Sequence, residues 1–188
     1  MALRTRSIAR TVAEAGVIAA VYGAVSLVTI EFLGWFAFGL VQFRLSEALT
    51  VVALFTPAAI PGLWLGAVLA NLGSLALGNP LGWLDVVFGG LGTLLGAWWT
   101  WRFRSRRALA LAGPVISNAL IVPTYLPILL AGLGMYQVPI LGWDVSRSWP
   151  LMYVLGVVSV GIGQAVVIYG LGWPLATALE RSGVTRRW

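Results

Sequence analysis

Six stretches of this chain are each close to the roughly 20 apolar residues that a helix needs to cross a bilayer, and that pattern removes most soluble architectures. They fall at residues 8–30, 40–58, 61–77, 83–101, 109–133 and 151–179. A water-soluble domain of this size needs a polar exterior, usually about a quarter charged residues. Here 60% of residues are hydrophobic and 10% charged, so lipid has to supply the exterior. The fold class expected is an all-α integral membrane protein, a single six-transmembrane-helix bundle over residues 1–188.

The missing residue types exclude chemistry. There is no cysteine and no histidine, so thiolate and imidazole metal sites and the commonest nucleophile–base pairs are absent. All 12 basic residues are arginine. Without lysine there is no phosphate loop of the Walker type and no Schiff base, so the chain does not hydrolyse ATP by that route. No cofactor, metal or catalytic residue is expected. The net charge of +6 invites a nucleic-acid reading. These arginines, however, flank apolar runs instead of interleaving with aromatics on a polar face, which is the pattern of the positive-inside rule.

Arginines cluster at Arg4, Arg6 and Arg10, at Arg102, Arg104, Arg106 and Arg107, and at Arg181, Arg186 and Arg187. Four runs separate the first two clusters and two separate the last two, so all three clusters and both termini fit on the cytoplasmic side. The first run is too long for the apolar core of a signal peptide and reads as a retained helix. Between the second and third runs, Pro57, Pro61 and Gly62 predict a tight turn. The outer segments, 31–39, 78–82 and 134–150, hold Arg147 alone among basic residues. Trp35, Trp83, Trp143 and Trp149 suit an outer aromatic belt, and Trp98, Trp99 and Trp101 an inner one.

Two ridges of small residues run along the first helix: Ala15, Ala19 and Gly23, and beside them Gly16, Ala20 and Ala24. Such ridges let helices approach closely, either within the bundle or against another subunit. Ionisable and amide groups in the runs are more informative, because lipid makes them costly. A rise of 1.5 Å per residue puts Glu47 roughly 10 Å inside the outer boundary, with Asn71 at similar depth. Asp85 falls near the outer mouth, and Asn118 and Gln164 nearer the midplane. Together they can line one outward-opening cavity matched to a planar heterocycle, with Phe43, Tyr125 or Tyr153 as an aromatic face. Each also has a plainer reading. Arg44 and Glu47, three apart, can neutralise each other; Asp85 can cap a helix; Asn71, Asn118 and Gln164 can hold helices together.

The segment Val41-Gln42-Phe43-Arg44-Leu45-Ser46-Glu47-Ala48-Leu49-Thr50, followed by Phe55-Thr56-Pro57-Ala58-Ala59-Ile60-Pro61-Gly62, resembles the QueT family. These are queuosine-precursor S-components of energy-coupling factor (ECF) transporters. The likeness continues through 13–20, 84–89, 118–122 and 171–175, although an acidic residue is expected where Gln164 stands. It implies a non-enzymatic, substrate-binding membrane subunit in the plasma membrane of a prokaryote. It further implies that queuine or a related 7-deazaguanine is captured from outside and passed inward with a coupling transmembrane subunit and two ATPase subunits. Gln42, Phe43, Arg44, Glu47, Asn71, Asp85, Asn118, Tyr153 and Gln164 are then the candidate substrate contacts. Ala15, Ala19 and Gly23 are the candidate docking face. A pterin-like or thiamine-like substrate, or a purely structural membrane subunit, are the alternatives.

Overall fold

Large apolar side chains line the outside of this protein, and polar and charged ones lie buried among the apolar core inside, unlike a water-soluble fold. Val17, Val21, Leu65, Leu69, Leu91, Leu95, Val158 and Ile162 are exposed, whereas Ser46, Glu47, Thr50, Asn71, Asp85, Thr93, Asn118 and Gln164 are buried. A surface of that kind is stable only against hydrocarbon. The structure, a computed structural model, describes residues 7–33, 43–76, 82–125, 128, 139–140, 143–144 and 148–187. Gln42, Arg4, Arg6, Trp35 and Arg147 lie outside them.

The helices are α1 (Ile8–Leu33), a 3-10 helix (Leu45–Leu54), α2 (Ala59–Ala76), α3 (82–102), α4 (Arg107–Ile121) and α5 (149–181). Helix α3 contains a π segment at Asp85–Gly89, and α5 contains another at Val166–Gly172. Four stretches are long and apolar enough to cross a membrane: Ile8–Thr29, Ala59–Ala76, Arg107–Thr124 and Trp149–Arg181. At 1.5 Å per residue α3 is also roughly 31 Å long. A two-stranded hairpin pairs Pro139 with Asp144 and Ile140 with Trp143, a small departure from the all-helical expectation.

The second expected span, 40–58, differs most from its sequence reading. Among the described residues its helical part is the ten-residue 3-10 helix. At about 2.0 Å per residue that helix still reaches roughly 20 Å. It touches every one of α1 to α5, and seven of its ten residues are buried. Buried over most of its surface, with Leu45 exposed, it has no single apolar face from which its helix type could be read. Its turn into α2 is tied by the Thr56 hydroxyl, which accepts from the Ala58 amide at 3.3 Å. Helix α2 then starts at Ala59, ahead of Pro61, which the first turn of a helix tolerates.

Small residues set the helix contacts. A Cβ on Gly62 would lie 2.8 Å from the Ala15 carbonyl oxygen, and one on Gly66 2.8 Å from that of Ala19. The Ala15–Ala19–Gly23 ridge is therefore pressed against α2, with Ala19 only 2% exposed. The ridge expected to dock a partner thus packs within the bundle along α2, with Ala15 half-buried. The neighbouring ridge of Gly16, Ala20 and Ala24 is the open one. Between α3 and α4, Pro114 has no N–H to offer the Ala110 carbonyl, and the Thr100 hydroxyl donates to that oxygen instead (3.1 Å).

The arginines gather at one end. Ala59, Leu63 and Ala97 share a core cluster against which Leu179 packs, placing the start of α2 beside the ends of α3 and α5. Glu14 accepts from Arg10 (2.8 Å) and from Thr56 (3.2 Å), and Arg107 pairs with Glu180 at 3.1 Å. Arg10, Arg102, Arg104, Arg106, Arg107 and Arg181 thus sit at the same end of the bundle.

Candidate functional site

Two fully buried carboxylates organise the interior, Glu47 on the 3-10 helix and Asp85 at the start of the π segment of α3, each 0% exposed. Leaving an ionisable group in this position without partners costs several kcal/mol or more, so their surroundings are specific. The Tyr22 hydroxyl on α1 donates to Glu47 Oε1 at 2.6 Å, and Thr93 on α3 donates to the same oxygen at 3.3 Å. The Ser26 hydroxyl donates to that of Ser46 at 2.7 Å and pins the 3-10 helix to α1 beside Glu47.

Asp85 is held from three other elements. The Tyr125 hydroxyl donates to Oδ1 at 2.6 Å, and Arg44 Nη2 pairs with the same oxygen at 3.4 Å. Its backbone carbonyl receives the Asn71 amide at 2.6 Å. That carbonyl also accepts the Gly90 N–H, five residues on, as the π segment requires. Phe88 stacks on Tyr125 with ring centroids 5.5 Å apart.

The two carboxylates flank one glycine. Thr93 shares its one hydroxyl proton between Glu47 and the nearer Gly89 carbonyl, at 3.1 Å. A Cβ on Gly89 would stand 3.2 Å from Asn71 Nδ2, 3.5 Å from Arg44 Nη1 and 3.8 Å from the Tyr125 hydroxyl. Donors from three elements therefore converge where α3 has no side chain.

The plainer readings fare differently. Arg44, the residue before the 3-10 helix, forms its ion pair with Asp85, while its charge also acts on the Glu47 carboxylate. Asp85 is not a helix cap: its helix begins at Gly82, and Leu84 before it is already helical. Asn118 donates to the Pro114 carbonyl of its own helix at 3.0 Å, and its Oδ1 packs against Gly92 of α3. It stands one residue along α3 from Thr93 and makes no hydrogen bond to either carboxylate among the described residues. Gln164 is buried, 3% exposed, just before the π segment of α5. Phe43 is half-buried beside Arg44. Tyr153 stacks on Trp149 (5.4 Å) and donates to the Leu120 carbonyl (3.2 Å), joining α5 to α4 away from the carboxylates. Gln42 lies outside the described residues.

Sequence reasoning missed Tyr22, Thr93 and Gly89. Asp85, Gly89 and Thr93 recur every four residues and so share a face of α3, a signal that was available. Tyr22 follows Ala19 by three on the inward ridge, and a phenol deep in an apolar run needs a partner.

Three buried acceptors have no partner among the described residues: Glu47 Oε2, Asp85 Oδ2 and Gln164 Oε1. Two of them belong to the carboxylates, beside which stands one guanidinium, that of Arg44. Such an arrangement is chemically short of N–H donors and of positive charge. No group of three or more metal-ligating residues occurs among the described residues. Residues 12–181 match a family model described as QueT transporter. No curated protein and no solved structure matches the chain.

Proposed function

The chain belongs to the QueT transporter family, and from that premise we propose that it is the S-component of an ECF-type importer. In this reading it captures queuine or a related 7-deazaguanine outside the cell and delivers it inward with a coupling transmembrane subunit and two ATPase subunits. The observation that carries the reading is the pair of buried carboxylates, each with one oxygen satisfied and one free, inside a shell that is apolar outside. A 7-deazaguanine offers N–H groups to those oxygens, carbonyl and ring acceptors to Arg44 and Asn71, and a flat face to Phe88 and Tyr125. The absence of lysine, and so of a phosphate loop, fits a subunit whose ATPases are separate chains.

Six passes with both termini in the cytoplasm accord with the arginines collected at one end. The 3-10 helix then makes the second pass and α3 the fourth. The site lies between the 3-10 helix and α3, towards the end opposite the arginines, so substrate enters from outside. The coupling subunit docks on the open Gly16–Ala20–Ala24 ridge, where a Cβ on Gly16 would meet nothing within 4 Å. The plasma membrane of a prokaryote is its place.

Thermal unfolding of the purified protein tests the reading, because a ligand that binds only the native state raises the melting point by mass action. Queuine and 7-aminomethyl-7-deazaguanine are expected to raise it, and guanine and thiamine are not. A shift with thiamine or a pterin alone would move the substrate class. No shift with any compound, in folded protein, would favour a structural subunit.

A further inference from the structure

Glu47 and Asp85 look alike in sequence, but the structure surrounds them differently. Asp85 already has a cation, Arg44 Nη2 at 3.4 Å, and its Oδ1 is shared by that guanidinium and the Tyr125 hydroxyl. Glu47 has only neutral donors, the hydroxyls of Tyr22 and Thr93, and both go to Oε1. No cation of the described residues lies within ion-pair distance of it, since the ion pairs there are Arg10–Glu14, Arg44–Asp85 and Arg107–Glu180. Its Oε2 is buried without a partner.

Geometry also limits how each carboxylate can grip. A two-point grip on a guanidine-like edge needs free lone pairs on both oxygens. Glu47 Oε1 and Asp85 Oδ1 each already take two donors, so each residue has one open oxygen and makes a single-point contact. A single open oxygen on a carboxylate whose nearest guanidinium, Arg44, is bonded to Asp85 and not to it suits a compact point charge, an ammonium group. At Asp85 the neighbouring guanidinium would repel one. Resting on the transporter reading above, we propose that Glu47 Oε2 is the receptor for a protonated amine on the substrate. Asp85, with Arg44 and Asn71, then takes the neutral polar edge of its ring. Glu47 becomes the residue that discriminates a cationic substrate from an uncharged analogue of the same ring.

The test is calorimetric titration of the full-length protein with 7-aminomethyl-7-deazaguanine, which carries the ammonium, and with 7-cyano-7-deazaguanine, which shares the ring without it. The aminomethyl compound is expected to bind roughly ten- to a hundredfold more tightly, the range for a hydrogen bond to a charged group. Glu47→Gln, which keeps shape and removes charge, is expected to erase that ratio while the cyano compound still binds. Asp85→Asn is expected to weaken both compounds and keep the ratio. Equal binding of the two by the wild-type protein, or a ratio lost in Asp85→Asn and kept in Glu47→Gln, overturns the assignment. Should Glu47→Gln fail to fold, the wild-type ratio and its persistence in Asp85→Asn decide alone. Wild-type protein that binds neither compound defeats the transporter reading itself, a different outcome from binding without discrimination.

Discussion

Adding one methyl group to either of two glycines should have opposite consequences. Gly16 on α1 faces outward and a Cβ there meets nothing within 4 Å. On α2, Gly66 faces α1, and its Cβ would stand 2.8 Å from both the Ala19 carbonyl oxygen and Tyr22 Cβ. Those two atoms are rooted in the α1 backbone, so no rotamer change relieves the contact and the helices must separate by several tenths of an ångström. Both substitutions gain the same helix propensity, about 0.5–1 kcal/mol. Their difference therefore reads the clash alone, about 1–3 kcal/mol for overpacking an already filled contact. Gly16→Ala should be neutral or slightly stabilised in thermal unfolding of detergent-solubilised protein, and Gly66→Ala clearly destabilised. Because Tyr22 is one of the two atoms' owners and also donates to Glu47, Gly66→Ala should weaken 7-aminomethyl-7-deazaguanine binding as well. A Gly66→Ala protein as stable as Gly16→Ala would refute the packing of α1 on α2.

Ala20→Trp, on the open ridge, should abolish co-purification with the coupling subunit while leaving ligand affinity within about twofold; intact assembly would sink the docking assignment. Tyr22→Phe removes the 2.6 Å donor to Glu47 and should cost about 1.5–3 kcal/mol of stability, read in the same unfolding assay. Asn118→Ala should lower stability by about 1 kcal/mol with ligand affinity unchanged, as expected of a residue packed on Gly92 and bonded to its own helix; a loss of affinity without loss of stability would return it to the site. Arg107→Gln should change stability by less than about 1 kcal/mol, because its pairing with the exposed Glu180 is partly solvated.

How far the chain could be read in advance depended on whether a feature answers to lipid or to neighbours. Lipid demands length and apolarity, so the runs that became α1, α2, α4 and α5 stood out from spacing alone. It also makes charge conspicuous, which is why Glu47 and Asp85 were visible as candidates inside otherwise apolar segments. Neighbours are another matter. The ridges Ala15–Ala19–Gly23 and Gly16–Ala20–Ala24 are equivalent by periodicity, and only the glycines of α2 decide which one turns inward. The 3-10 helix Leu45–Leu54 touches all five α-helices, and its tighter winding leaves no trace in hydrophobic period. Asp85 allowed a capping role until the helix was found to start at Gly82. Tyr22 and Thr93 are neutral donors of common types, identifiable only once Glu47 shows which atoms they serve.

In the proposed importer, Glu47 and Asp85 together form the substrate site. Titration of purified protein with 7-aminomethyl-7-deazaguanine, wild type against the Glu47→Gln, Asp85→Asn double variant, tests it most directly, with native-like unfolding of the variant as the control for folding. Saturable binding at one ligand per chain in the wild type and none in the folded double variant is the expected result. Saturable binding that survives the loss of both carboxylates would place the substrate elsewhere in the bundle.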